Sequence, residues 1–243
     1  MNSVHFTINQ WEARSLGLSS LAEWQQWAIT QNWPQAPEPI VFDKIPPMMR
    51  RRMSNLTKLA LQTALHIADE QQIDYIIFSS RHGELHRTVT LIESILDGDD
   101  ASPIAFSQSV HNTAAGLYTI ITKKPITVTS LSAGEHTLHS ALIEAACYLA
   151  DNPNHQVLLV DFDEPLPEQY QQFKTQDHQS YAFSAILSAG NGYTLQWSAA
   201  EKENNKEIAI GFPQTLDVIK HLALGDKAFS LSDQRHHWHW VCN

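Results

Sequence analysis

Two short runs of residues constrain this chain more than any other feature. Residues 73–80 (IDYIIFSS) and 157–162 (VLLVDF) are near-continuous apolar stretches of strand length. A strand with water on one face alternates apolar and polar residues, so runs like these belong to strands covered on both faces. Covering both faces takes helices, and the intervening segments supply them. Ser54 is placed to cap a helix over 55–72, whose Leu56, Leu59, Ala60, Thr63, Ala64 and Ile67 make one apolar stripe. A second helix is predicted over 85–96, with Leu85, Val89, Ile92 and Leu96 in line and Gly98 as its stop. Residues 114–122 read as helix, 126–131 (ITVTSL) as strand, and 133–150 as a long helix ended by Asn152-Pro153.

The flanks are read in the same way. Residues 4–8 (VHFTI) alternate as a short strand, and 21–33 form a tryptophan-rich helical insertion with Leu21, Trp24, Ala28 and Ile29 at helical spacing. Residues 181–188 and 193–198 are expected to form a hairpin across Ala189-Gly190-Asn191-Gly192. Beyond them, 201–207 read as a charged loop, 216–224 as a helix and 239–241 as a final strand. The order β-α-β-α-β-α-β-β, with crossovers long enough for parallel connections, is α/β architecture. The expected organisation is one domain over 1–243, with a core at 1–198 and a C-terminal appendage at 199–243. Helix 133–150 is apolar or small on nearly every face, so a single sheet leaves it under-covered. Either the chain's own C-terminal segment or another subunit has to supply the rest.

Charge and composition then exclude whole classes. Sixteen basic and 26 acidic side chains give a net charge of −10. That argues against a nucleic-acid or anionic-membrane surface, which needs clustered cations. The one dense basic run, Arg50-Arg51-Arg52, reads as a solvated helix entry. Two cysteines, Cys147 and Cys242, suit a reducing compartment without a disulfide framework. The opening residues lack the basic start and apolar run of a signal peptide, and no stretch nears the roughly 18 apolar residues of a membrane span. A soluble cytoplasmic chain is therefore expected. The seven tryptophans, four of them before Pro34, suit core and interface packing. No P-loop or dinucleotide fingerprint occurs, and no cofactor is expected.

Three segments in order carry a family resemblance. Phe106-Ser107-Gln108-Ser109-Val110-His111-Asn112-Thr113-Ala114-Ala115-Gly116 places an Asn, small residues and a Gly at a helix start. Thr129-Ser130-Leu131-Ser132-Ala133-Gly134-Glu135-His136 follows a strand and opens the long apolar helix. Residues 157–164 and Tyr181-Ala182-Phe183 then read as a closing strand and hairpin. Together they resemble the N-terminal half of a β-ketoacyl synthase, over roughly residues 4–198. The resemblance implies a single thiolase-like half with an N-terminal helical insertion. It also puts Leu131 in the column of the nucleophilic cysteine, with Gly134 as the anchor of that alignment. Leucine cannot form the thiolate that such a reaction needs. The family's two catalytic histidines lie in a second half, which these 243 residues do not contain.

What the resemblance implies is a non-catalytic subunit similar to the chain-length factors of type II polyketide systems, in particular the truncated ones of aryl-polyene clusters. Its partner is then a ketosynthase bound as a heterodimer, with acyl carrier protein engaged only indirectly. Thr127 and Thr129 fall on the strand that pairs with the partner. Phe106, Ser107, Ser109, His111 and Asn112 fall on the segment that lines or caps its acyl tunnel.

Three other readings compete. Ser130 or Ser132 could act as an acyl-transfer nucleophile with His111 or His136 as base, although the first Gly of G-x-S-x-G is missing. The alternative is small residues at a tight turn. His236-His237-Trp238-His239 with Cys242 offers zinc or copper ligand types. In a strand, however, His237 and His239 share a face from which His236 points away, so the segment is read as a polar end and no metal is expected. Arg81 and His82, just after a buried strand, either open a helix with Glu84 at its positive end or touch the partner.

Overall fold

The computed structural model describes residues 2–200, 211–233 and 235–243. The charged stretch expected over 201–207 lies outside the described residues. Strand β1 (Asn2–Ser15) leads into helix α1 (Leu21–Thr30), the short helix α2 (Pro47–Arg50), α3 (Asn55–Ile67) and strand β2 (Tyr75–Ser79). Helices α4 (Leu85–Leu96), α5 (Pro103–Ser109) and α6 (Thr113–Thr122) precede β3 (Thr127–Leu131), and α7 (Thr137–Asp151) precedes β4 (Gln156–Asp163). Strand β5 (Tyr181–Ala199), α8 (Gln214–Leu224), β6 (Ala228–Ser232) and β7 (His236–Cys242) complete the chain.

The doubly covered strands are where the apolar runs put them. β2 lies between β3 and β4, parallel to both. Its alternate residues serve two cores: Tyr75 and Ile77 face α1, α7 and α8, while Ile76 and Phe78 face α3 and α6. Val157 and Leu159 of β4 join the first core, and Leu158 and Val160 the second. The result is a mixed seven-stranded sheet between two helical layers, in the order β3-β2-β4-β5-β7-β6, with β1 on the far edge of β5. Ser54 caps α3 by accepting from the N–H of Thr57 at 2.8 Å, and all six residues of the anticipated stripe are buried.

Four expectations are corrected. First, 181–198 is one bent strand and no hairpin. β1 is far longer than its alternating centre suggests, and it pairs with both halves of β5, from Asn2↔Trp197 to Ser15↔Tyr181. Residues 189–192 bulge out between the pairs Phe6↔Tyr193 and Thr7↔Ser188. The two glycines there admit Thr7: a Cβ on Gly190 would lie 2.4 Å from its Oγ1, and one on Gly192 would lie 3.1 Å away. Second, in α1 it is Trp24, Trp27 and Ala28 that are buried, while Leu21 and Ile29 are exposed. Trp27 packs on Trp33 and Phe212 at ring separations of 5.2 and 5.4 Å, so the helix turns its aromatic side inward. Third, α4 has its expected bounds but buries only Val89 of its stripe. Fourth, α5 and β6 are additional elements.

Helix α7 receives its cover in cis. Leu138, Leu142, Ala145 and Leu149 join the core under the sheet. In its first turn His139 stacks on Trp238 of the C-terminal strand at 4.2 Å and accepts from Trp240 Nε1 at 3.1 Å. Of the two suppliers left open by the sequence, the chain's own C-terminal segment is the one observed.

Candidate functional site

At the carboxyl end of β3 the chain makes a sharp strand-to-helix elbow. Leu131 pairs with Ser79 in the parallel ladder, and its carbonyl accepts from Ser80 N at 3.1 Å. Gly134 then adopts φ +64°, a left-handed conformation that costs glycine least. Thr137 Oγ1 locks the turn, accepting from Ala133 N at 3.1 Å and donating to the Gly134 carbonyl at 2.7 Å. The Leu131 side chain is half-buried against the core of α7 and α8, so position 131 presents an aliphatic group.

The two serines beside it behave differently. Ser132 Oγ donates to the Arg81 carbonyl at 3.0 Å. Ser130 lies 3.3 Å from His111 Nδ1, and His111 Nε2 is 2.8 Å from the Ser80 carbonyl. A carbonyl only accepts, so Nε2 carries the proton and Nδ1 can accept from the serine. Gly83 is needed under this ring, because a Cβ there would come within 2.9 Å of His111 Cδ2. Ser130 nevertheless sits inside the β2–β3 ladder opposite Phe78, away from the helix start where oxyanion donors would be found.

The loop after β2 is held by two carboxylates that the sequence reading passed over. Asp163 accepts from Arg81 N at 2.7 Å, Ser80 Oγ at 3.1 Å and His82 N at 3.3 Å. Burial first, and then the neighbouring Asp161, push its carboxyl up to about 7. Asp161 is pushed up by burial to about 6, and it accepts from Thr215 Oγ1 at 2.6 Å and Ser79 Oγ at 2.7 Å. Two aspartates two residues apart in an otherwise apolar strand were the available signal: period 2 puts both on one face at the strand's functional end. Arg81 and His82 turn inward. Arg81 Nη1 donates to Thr175 Oγ1 at 3.1 Å and stands 3.6 Å from Glu135. Burial, followed by the Arg81 charge, lowers His82 to about 4. Glu84 is buried and accepts from Ser54 Oγ at 2.7 Å and from Thr57 Oγ1, so it ties the start of α4 to the start of α3 through side-chain hydroxyls.

On the other side of β3, α5 and α6 form an open surface. A groove of about 620 Å³ runs past Met48, Ile104, Ser107, Asn112, Gly116 and Ile120. Phe106 is 61% exposed on the same short helix and is not among the residues lining the groove. Ser109 Oγ donates to the Phe106 carbonyl at 2.9 Å, which stiffens that turn. Thr129 shares a 2.5 Å hydrogen bond with the Tyr75 hydroxyl, which also donates to Glu144 at 3.0 Å, whereas Thr127 is exposed. β3 ends the sheet, so among the described residues its outer edge has no strand beside it. The C-terminal histidines split as strand geometry requires: His237 and His239 bond Ser232 and Ser230 at 2.7 and 2.8 Å on the outer face. His236 turns the opposite way, towards α7.

Residues 24–241, which include this elbow, match the β-ketoacyl synthase N-terminal domain model. The chain belongs to that family. A chain of the ketosynthase (ApeO) in complex with its chain length factor (ApeC) from Xenorhabdus doucetiae is 28% identical, with a TM-score of 0.87 over 98% of this chain and 99% of that one. The ishigamide ketosynthase/chain length factor aligns with a TM-score of 0.62 at 15% identity, over 81% of this chain and 67% of that chain. A chain of the AntDE:AntF complex of type II acyl-carrier protein and ketosynthase aligns with 0.67 at 9% identity, over the full length of both. The last two bear on the fold alone. No curated protein matches. For this ketosynthase-family domain the α/β thiolase-like half expected from the sequence is the observed fold, and among the described residues no helix is long and apolar enough to cross a membrane.

Proposed function

We propose that this chain is a non-catalytic, chain-length-factor-like subunit that pairs with a ketosynthase and shapes its acyl tunnel in polyketide or fatty-acid-type synthesis of the aryl-polyene kind. The observation that carries this reading is an elbow that opens with Leu131 at the end of a strand whose outer edge is open. An unpaired strand edge is a template for another strand, and in soluble proteins such edges are covered or blocked. The apolar groove beside it, together with exposed Ile92, Ile95, Leu96 and Phe106 on α4 and α5, extends the same surface well beyond isolated apolar residues. In this reading Thr127 and Thr129 lie along the joint. Phe106, Ser107, Ser109, His111 and Asn112 approach the partner's tunnel, and Leu131 and Gly134 form the silent elbow. Acyl carrier protein, itself acidic, is left to the partner by a chain of net charge −10. The chain works in the cytoplasm, where its two free cysteines stay reduced.

The test is co-expression with a ketosynthase from the same genome, followed by size exclusion. Co-elution as a defined complex is expected, and separate elution of two folded chains refutes the pairing. Phe106→Ala in that complex is expected to lengthen the products without dissociating it, and an unchanged product distribution removes Phe106 from the tunnel. A second reading, serine-dependent acyl transfer, draws on the Ser130–His111 contact. Incubation with acyl-carrier-protein thioesters and intact-mass spectrometry separates the two, since an acyl adduct on Ser130 or Ser132 contradicts the non-catalytic reading.

A further inference from the structure

His136 in the turn that opens α7, Asp233 just after β6 and His236 at the start of β7 converge, although 100 residues separate the two histidines. One ligand atom from each can be chosen so that all lie within 4.8 Å of one another. His136 Nδ1 is 2.9 Å from Asp233 Oδ2, and its Nε2 is 3.4 Å from His236 Nδ1. Ligand atoms around tetrahedral zinc, on arms of about 2.0–2.2 Å, stand roughly 3.3–3.5 Å apart. With one nitrogen taken from each histidine, the three ligand atoms lie within 4.8 Å of one another, so a modest side-chain adjustment closes them onto an ion.

The groups behind these side chains are arranged as a support. Asp233 Oδ1 accepts from the N–H groups of Arg235 and His236 at 2.7 and 2.9 Å, and Oδ2 accepts from Gln214 Nε2 at 2.7 Å. The orientation of Gln214 is set from the far side. Trp240 Nε1 can only donate, so His139 Nε2 accepts from it, and His139 Nδ1–H donates to Gln214 Oε1 at 2.6 Å. The amide NH₂ of Gln214 is thereby aimed at Asp233. This is the outer-shell pattern that fixes a carboxylate ligand.

A plain ion pair does not account for the cluster. His136 Nδ1 is buried, and despite its proximity to Asp233 it is misaligned for a hydrogen bond and has no partner.

We propose that His136, Asp233 and His236 form a binding site for a divalent transition-metal ion, zinc(II) by preference, with a fourth position taken by water. Two imidazoles and one carboxylate are a donor set suited to zinc and poorly suited to calcium or magnesium. The ion clamps the β6–β7 connection onto the start of α7, next to the elbow. Of the ligand types that the sequence offered at His236, His237, His239 and Cys242, only His236 belongs to this set, and the site does not depend on the ketosynthase reading.

The experiment uses the full chain without a histidine tag, stripped with chelator and titrated with ZnCl₂ by calorimetry, with metal content read by mass spectrometry. One zinc per chain and a rise in thermal midpoint are expected. His136→Ala and His236→Ala should each weaken binding about 100-fold or more, and Gln214→Ala about 10- to 100-fold. The double variant His237→Ala/His239→Ala should bind as the unaltered chain does. Absence of stoichiometric binding by the unaltered chain, or a loss that follows His237 and His239 instead, overturns the proposal. If the alanine variants fail to fold, cobalt(II) substitution in the unaltered chain decides. Intense four-coordinate visible bands support the site, and the weak spectrum of hydrated cobalt rejects it.

Discussion

Replacing Trp238 by alanine tests whether the C-terminal strand is part of the core or only laid upon it. Trp238 is 3% exposed. Its indole stacks on His139 at 4.2 Å, and Trp197 lies 5.9 Å away. Truncating a buried tryptophan of this kind costs about 3–5 kcal/mol, combining the lost transfer energy with that of the cavity left behind. In a domain of this size 1 kcal/mol moves the thermal midpoint by about 2–4 °C, so a fall on the order of 10 °C is expected. Equilibrium unfolding in guanidinium, followed by tryptophan fluorescence and far-ultraviolet circular dichroism, measures the free energy directly. The two probes should lose stability together, since α7 and the sheet share this contact. A loss below about 1 kcal/mol would show that α7 is covered by something other than its own chain. The same result would refute the cis-cover argument.

Three further outcomes follow from the geometry. Thr127→Pro removes a backbone donor from the edge strand β3 and distorts it, and should weaken a ketosynthase complex in size exclusion, while Thr127→Ala leaves it intact; equal behaviour of the two places the joint elsewhere. Gly190→Ala forces a Cβ to within 2.4 Å of Thr7 Oγ1 at φ +152° and should cost about 1–3 kcal/mol in a denaturant melt, with a neutral result meaning that the bulge is soft. Asp163, raised from 3.8 to about 7, favours the folded state when protonated, so its contribution is present below about pH 4 and lost as pH rises through 7. Asp163→Asn should therefore gain stability relative to the unaltered chain between pH 4 and 8, and a constant difference across that range contradicts a raised carboxyl.

Much of the scaffold was readable because burial on both faces leaves a mark in composition. The runs containing β2 and β4, the Ser54 cap and the bounds of α4 all follow from local pattern. What pattern could not give was pairing at long range. The Gly190-Asn191-Gly192 motif has the residues of a hairpin turn, and only the presence of β1 along the whole of β5 turns it into a bulge. The exposed stripe of α4 shows the reverse failure, where helical spacing was correct but no cover for it is found among the described residues. At the site, the elbow was legible as Leu131 to His136, since small residues and a glycine are what a strand-to-helix turn requires. The Asp161–Asp163 scaffold was visible in principle as two carboxylates in an apolar strand. The meeting of His136 with Asp233 and His236 was not, because no local spacing encodes it.

The register of β5 also has a consequence for the time at which this molecule can exist. β1 leaves the ribosome ahead of every other described element, yet Ser15 waits for Ser180, 165 residues later, before its hydroxyl finds the carbonyl it bonds. At about 5–20 residues per second that interval is roughly 10–30 s, during which an alternating, aromatic-bearing strand has no edge to join. A strand made well before its partner is therefore among the last to be committed. Contacts of such sequence separation also make for slow closure once synthesis ends. A nascent chain stalled before residue 181 should be held by chaperones through its first 15 residues, and refolding from denaturant should show β1 amides gaining protection in the same phase as those of β5.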